Sequence, residues 1–354
     1  MADSLKHVDF IIVGQGLAGA LLAYELLKAG KKILVIDEDK TFTSSKIAAG
    51  IIVPITGRRM VKTWKADTLI PFAKKIYHEL ETEFNEKIFY DLLLLELFSS
   101  SKNRNDWVAR SAEQGFEKYI NEEIHADFLK NNFNVAFGAI TINQSGFLNI
   151  SKLLDLFKKY FKNKNILEAA VFSIDDLKIE KERVEWKNFT ATKIIFCEGF
   201  SATGNPFFSH LPFLPAKGEI LEIYSEELSQ DYIINHGMFI LPLGNHHFKA
   251  GSTYQWDFKN VEPSVEGKKQ IDLFLKKILK VDYEITNHYA AIRPTVQDRR
   301  PFIGLHPENP SVGIFNGLGT KGVMLAPFFA KQFVDFLEGK TIIDPEADIK
   351  RYHL

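Results

Sequence analysis

Residues 10–37 read FIIVGQGLAGALLAYELLKAGKKILVID. The apolar run at 10–13 predicts a short strand. Leu17, Leu21, Tyr24 and Leu27 then recur at helical spacing, and Gly30 closes the helix. A second apolar run, 32–37, predicts a second strand. Strand, glycine loop, helix and strand in this order make a βαβ unit with a parallel pair. The loop glycines have separable roles: Gly14 permits the tight turn, Gly16 lets a pyrophosphate approach the backbone, and Gly19 lets the helix pack on the strand. Leu17 and Ala18 open a helix whose free N–H groups and positive dipole end face the phosphates. Asp37, with Glu38 beside it, ends the second strand where a ribose hydroxyl would donate to a carboxylate. This stretch predicts a bound dinucleotide and leaves open whether it is FAD or NAD.

Composition sets outer bounds. The 354 residues suffice for two domains or one large, elaborated one. Lys plus Arg number 44 against 45 Asp plus Glu, so a net charge of -1 gives no general pull toward nucleic acid or anionic lipid. A single cysteine, Cys197, excludes an intrachain disulfide and points to a reducing compartment. No run reaches transmembrane length, and MADSLKHVDF has no apolar signal core, so a cytoplasmic protein is expected. The 30 Phe residues promise a large aromatic core or an apolar pocket.

Beyond residue 40 the chain departs from a plain nucleotide domain. Residues 41–60, rich in Gly, Ser, Thr and Pro, predict a long functional loop. Leu69, Ala73, Ile76, Tyr77, Leu80 and Phe84 mark an amphipathic helix; DLLLLELFSS suggests a strand, and SSSKNRND (99–106) a polar loop. Ile150, Leu153, Leu154, Phe157 and Phe161 mark another helix, followed by strand-like runs near 168–174, 182–188 and 193–199. The pattern from 211 to 256 is β-rich, 264–280 is a Lys-rich amphipathic helix, and the C-terminal part reads strand, glycine loop, helix, with Gly339 after the last turn.

Ala23, Leu26 and Gly30 extend the first motif to GxGxxGxxxAxxLxxxG. Later segments follow in order: SSKIAAG (44–50), KIIFCEGFSA (193–202), PAKGE (215–219), FKAGSTY (248–254), IRPTVQDRRPFIG (292–304) and GLGTKGVMLAP (317–327). Together they resemble the flavoproteins of the D-amino acid oxidase and glycine oxidase superfamily over nearly the whole chain. The resemblance implies an α/β fold: a Rossmann-like FAD-binding domain interleaved with an α+β substrate domain built on a mainly antiparallel sheet. The domains are expected over 1–60, 146–210 and 291–354 for FAD, and 61–145 and 211–290 for substrate. The implied FAD contacts beyond the first motif come from Ser44, Ser45, Ala49, Gly50, Ile51, Val171, Cys197, Gly199, Arg293, Gly317, Gly319, Thr320, Lys321, Gly322 and Val323. Independently of any family, GLGTKG presents backbone N–H groups ahead of a helix starting near Val323. Such a positive end suits negative charge on a reduced flavin, which favours FAD over NAD.

Three residues are candidates for the chemistry. Arg293 matches the family's arginine that clamps a substrate carboxylate, a task suited to a planar, two-pronged guanidinium; the alternative is an ion pair with Asp298 or a surface glutamate. Lys249, two residues before Gly251, matches the lysine that promotes reaction with oxygen in sarcosine oxidase-like members, or else is a strand lysine turned to solvent. Tyr254, with Trp256, Phe239 and Met238, either lines the pocket or belongs to the core. Lys321 either caps the flavin edge or is solvated. Cys197 reads as a small core hydrophobe, His246 and His247 as hairpin-turn residues, and no metal is expected. RRMVKTWK (58–65) is a short basic stretch with a weak nucleic-acid signal.

The first functional reading is FAD-dependent oxidation of a C–N bond in a small amine or amino acid, with hydride transfer to the flavin and hydrolysis of the imine. Two alternatives share the fold: oxidation of a carboxymethylaminomethyl-uridine in tRNA, and dehydrogenation of a 2-hydroxy acid. A flavoprotein that has lost activity and serves as a binding module is the non-enzymatic reading. Oxidase and dehydrogenase are not separable at this level.

Overall fold

The structure is a computed structural model that describes residues 5–57, 59–180 and 182–352. Arg58 of the basic stretch lies outside the described residues. The chain forms two compact units, each assembled from separated segments. The first comprises residues 1–48, 150–216 and 292–354; the second comprises 49–149 and 217–291. Residues 49–60 and 146–149 fold with the second unit, and 211–216 with the first.

In the first unit, Lys6–Val13 pairs in parallel with Ile33–Asp37 on one side and Phe189–Phe196 on the other. Leu167–Ala169 extends the sheet in parallel beyond Ile33–Asp37, and Val312–Asn316 runs parallel to the end of Phe189–Phe196. Short antiparallel strands, Val184–Trp186, Leu177–Ile179 and Phe302–Leu305, complete eight strands. The central strands are apolar on both faces because both are covered: the face carrying Ile11, Val13, Leu34, Ile36, Ile194 and Phe196 packs on Val184, Trp186, Phe208, Leu211 and Val296, from a short strand and loops. The first helix, Leu17–Lys28, is buried for ten of its twelve residues and packs against the last, Gly322–Leu337. Their Ala- and Gly-rich faces permit that closeness. The helix Ile150–Asn163 shows the opposite pattern, a clean stripe of Ile150, Leu153, Leu154, Phe157 and Phe161 against the unit's core and Lys on its outer face.

The second unit is built on an eight-stranded sheet. Its order is Glu284–Arg293, Ala216–Tyr224, His247–Gly251, Phe239–Gly244, Ile233–Asn235, Leu94–Leu97, Ala139–Ile142, Ile120–Ile124. One junction, Ile233–Asn235 with Leu94–Leu97, is parallel. The helix Val265–Ile278 buries Ile271, Leu275 and Ile278 in a cluster with Leu95, Leu97, Ile223, Ile234, Ile240, Phe248 and Ala250. Those sheet residues define one face; the residues alternating with them define the other.

Two expectations need correction. The polar stretch 99–106 is largely helical: Ser101–Ser111 is a helix whose N-cap, Ser100, accepts from the Asn103 N–H through its hydroxyl. Its serines read as loop because only Trp107 is buried and no apolar stripe exists to reveal the period. The loop 41–60 contains a helical turn, Ser44–Ile47, capped by Thr43, and two short strands, Ile51–Ile52 and Ile55–Thr56.

Candidate active site

The glycine loop of the first unit is built around close approach. Gly14 has φ +99°, and a Cβ on Gly19 would lie 1.9 Å from the Gly14 carbonyl oxygen. Only glycine lets the helix start so near the strand. The helix opens at Gly16 with no side-chain cap and no acidic residue in its first turn. Ser45 turns its Oγ to the Leu17 N–H at 3.2 Å, so the Ser44–Ile47 turn sits over the same helix end. Asp37 accepts from the Gln15 N–H at 2.6 Å and from the Asp39 N–H at 2.7 Å. Glu38 instead pairs with Lys40 at the surface. Val171 follows a strand whose Ala169 is in register with Asp37, and is 69% exposed. A positive helix end, a glycine cradle that a Cβ would fill and a carboxylate at the strand end fit a dinucleotide phosphate and ribose.

Cys197 forms the floor of that cradle. Its N–H donates to the Val13 carbonyl at 2.8 Å, and burial pushes its thiol far above the ordinary range, so it is an inert core group. Asn316 was not singled out in the sequence. It is 3% exposed and ties two glycine turns together: its Nδ2 donates to the Gly199 carbonyl at 2.9 Å, and its Oδ1 accepts from the Gly317 N–H at 2.8 Å. The one available signal was an asparagine ending the apolar strand VGIFN directly before glycine.

Gly317 and Gly319 both take positive φ in the turn before the last helix. A Cβ on Gly319 would meet Thr295 at 3.2 Å and one on Gly317 would meet Val296 at 2.9 Å. The turn with Thr320, Gly322 and Val323 therefore rests on the segment just after Arg293. Arg293 ends the strand Glu284–Arg293 and its Nη1 is fully buried. Asp298, its proposed ion-pair partner, is held instead by Arg351 Nε at 2.9 Å and the Tyr352 hydroxyl at 2.7 Å.

Lys321 is the N-cap of the last helix. No hydrogen bond or ion pair engages its ammonium among the described residues, and burial pushes it down to about 8. A base lowered in the folded state destabilises the fold below that pH, and the penalty fades as pH rises toward the ordinary lysine range. In the apoprotein, Lys321→Met is expected to stabilise by about 1–3 kcal/mol at pH 6–7, with the gain gone near pH 10. Thermal unfolding across that range decides; a gain independent of pH would dismiss the burial.

In the second unit, Ala49, Gly50 and Ile51 lead into a three-stranded sheet, with the Gly50 carbonyl accepting from the Leu148 N–H at 3.0 Å. Lys249 lies on the face of the larger sheet away from the helix-covered core, between Glu222 and Leu241 in register. It is half-buried, not turned to solvent; burial lowers its ammonium and Glu222 opposes that in part. Phe239 shares that face, whereas Met238 packs against the opposite cluster. Tyr254 and Trp256 follow the strand in a loop, edge to face with centroids 4.7 Å apart, and are 46% and 52% exposed. Glu96, on the same face as Lys249, is not among the residues the sequence singles out.

The chain matches the sequence model of the family described as FAD dependent oxidoreductase (DAO) over residues 9–336. It is 24% identical over 369 aligned positions to glycine oxidase of Bacillus licheniformis, with 95% of both chains covered. It is 21% identical over 362 positions to a tRNA 5-methylaminomethyl-2-thiouridine biosynthesis bifunctional protein of Marinobacter nauticus, covering 94% of this chain and 56% of that one. The fold matches the crystal structure of glycine oxidase from Geobacillus kaustophilus with TM-score 0.80 at 18% identity, covering 96% of this chain and 97% of that one. Among the described residues, no helix is long and apolar enough to cross a membrane.

Proposed function

Because the chain belongs to the DAO family of FAD dependent oxidoreductases, we propose that it oxidises a C–N bond in a small amine or amino acid, giving an imine that water hydrolyses. The observation that carries this reading is the likeness to glycine oxidase across 95% of both chains. Gly14, Gly16, Leu17, Ala18 and Gly19 hold the phosphates, with Asp37 at the ribose and Ser45 beside the helix end. The 317–323 turn, with its N–H groups ahead of the last helix, stabilises negative charge on the ring. Bound FAD supplies the acceptor for the hydride that leaves the substrate carbon. Arg293 clamps the substrate carboxylate and so fixes which C–H bond is presented. Lys249 places a positive charge where reduced oxygen species develop.

The test is anaerobic mixing of the yellow holoprotein with a panel of amines, amino acids and 2-hydroxy acids. Bleaching of the flavin band by an amine or amino acid is expected; bleaching by hydroxy acids alone would move the reaction class. Re-admitting air extends the same trace: Lys249→Met slows the return of colour without slowing bleaching, and equal return rates would make Lys249 a bystander. A second reading, oxidation of a modified uridine in tRNA, draws on the match covering 94% of this chain. Against it stands the net charge of -1. It requires tRNA retention at low salt that falls steeply as salt rises.

A further inference from the structure

Two helices of the first unit begin side by side. A Cβ on Gly322, the first residue of Gly322–Leu337, would lie 3.6 Å from Cδ2 of Leu17, the first residue of Leu17–Lys28. Neither helix has an acidic residue in its first turn, and neither has a side-chain cap at its N-cap position. Two positive dipole ends therefore share one corner with no carboxylate of their own. The chain places a third positive group there: Lys321, the N-cap of the second helix. A cation at a helix N-terminus has the wrong sign for the dipole. Burial adds a second cost, which pushes the ammonium down to about 8. No hydrogen bond or ion pair offsets either cost among the described residues, although the residue keeps partial exposure. The carboxylates beside the glycine loops are engaged elsewhere. Asp37 accepts from the Gln15 and Asp39 N–H groups, and Glu198 accepts from Asn205 Nδ2 at 2.8 Å. Three positive groups without an anion repel one another; around an anion the same groups attract it.

We propose that the Lys321 ammonium is the protein's counter-charge for FAD, pairing with an anionic group of the bound nucleotide: the pyrophosphate, or the ring once reduction makes it negative. This rests on the FAD-binding role given above to the glycine loop and the 317–323 turn, and it is independent of the substrate. That role draws on backbone N–H groups, which carry partial charges; Lys321 adds a full one. The same side chain costs the empty protein stability and strengthens its hold on the cofactor, because the anion supplies the partner that the chain lacks. Methionine at this position keeps a long, flexible side chain and removes the charge; arginine keeps the charge.

The experiment compares the unmodified protein with Lys321→Met and Lys321→Arg. Each apoprotein is titrated calorimetrically with FAD and with ADP, which carries the pyrophosphate and no ring. The midpoint potential of each holoprotein is then measured. If the pyrophosphate is the partner, Lys321→Met weakens ADP and FAD alike by about ten-fold or more, with the potential unchanged. If the reduced ring is the partner, ADP binds as before, and the preference for reduced over oxidised FAD falls about ten-fold or more, which lowers the potential by about 30 mV or more. In either case Lys321→Arg recovers part of the loss. Melting of the Lys321→Met apoprotein checks that its fold is intact. Kd values for ADP and FAD and a reduced-to-oxidised preference all within about two-fold of the unmodified protein overturn the proposal, as does a loss that Lys321→Arg does not relieve. An unmodified protein that takes up no FAD overturns the FAD-binding reading as well, whereas FAD held equally by all three proteins at equal potential overturns the part given to Lys321 alone.

Discussion

Gly19→Ala is expected to purify colourless and unable to take up FAD. The added methyl would stand 1.9 Å from the Gly14 carbonyl oxygen and 3.1 Å from Cys197 Cβ, both on the strand side of the helix. Neither can yield, because Cys197 is bonded through its backbone to Val13 in the central sheet. The helix start must therefore shift by about 1 Å, carrying its phosphate-facing N–H groups with it. Overpacking of this kind costs about 1–3 kcal/mol in stability. Loss of aligned donors should weaken FAD by about 100-fold or more, since each 1.4 kcal/mol is tenfold. Gly204→Ala is the control: no atom lies within 4 Å of the added carbon and its φ is not positive. FAD titration by flavin fluorescence reads both. A Gly19→Ala protein with full flavin content and unchanged melting would show that close packing does not build this loop.

Arg293→Leu carries the second large effect. On the proposed role, removing this partly buried guanidinium from a substrate carboxylate should cost about 2–5 kcal/mol in binding, or roughly 30- to 4,000-fold in KM for an amino acid. Amines lacking a carboxylate should be oxidised as before, and Arg293→Lys should recover only part of the loss because the two-pronged geometry is gone. The carboxylate Asp298 does not stand in for a substrate here, being held by Arg351 and Tyr352. Equal loss for carboxylate and non-carboxylate substrates would make Arg293 a structural residue.

Local patterns marked the elements that bury a single stripe or run apolar throughout. The helix 150–163 was legible because five apolar residues fall on one face. The strands flanking the glycine loop were legible because both their faces are covered. The helix Ser101–Ser111 was not, since one tryptophan anchors it and its cap serine also signals a turn. Asp37 followed from its spacing after the glycine loop, whereas Ser45 came only with the family resemblance of the SSKIAAG loop. Asn316 and Glu96 were not readable, because each meets a partner distant in sequence: Gly199 for the first, Asn235 for the second.

The sequence by itself determined that a glycine loop joins a strand to a helix and that this loop suits a dinucleotide; that the cofactor is FAD followed from the family resemblance that six further motifs carry. The glycine loop is a short-range fact: a tight turn, a close approach and a free helix end need only a few neighbouring residues. Tertiary structure alone decided which face of the larger sheet Lys249 occupies, that Asp298 belongs to Arg351, and that Glu96 meets Asn235. Side chains alternate along a strand, so face assignment depends on which side the helix Val265–Ile278 covers. Strand register then sets which residues become neighbours across 139 positions of chain. No local pattern carries either piece of information.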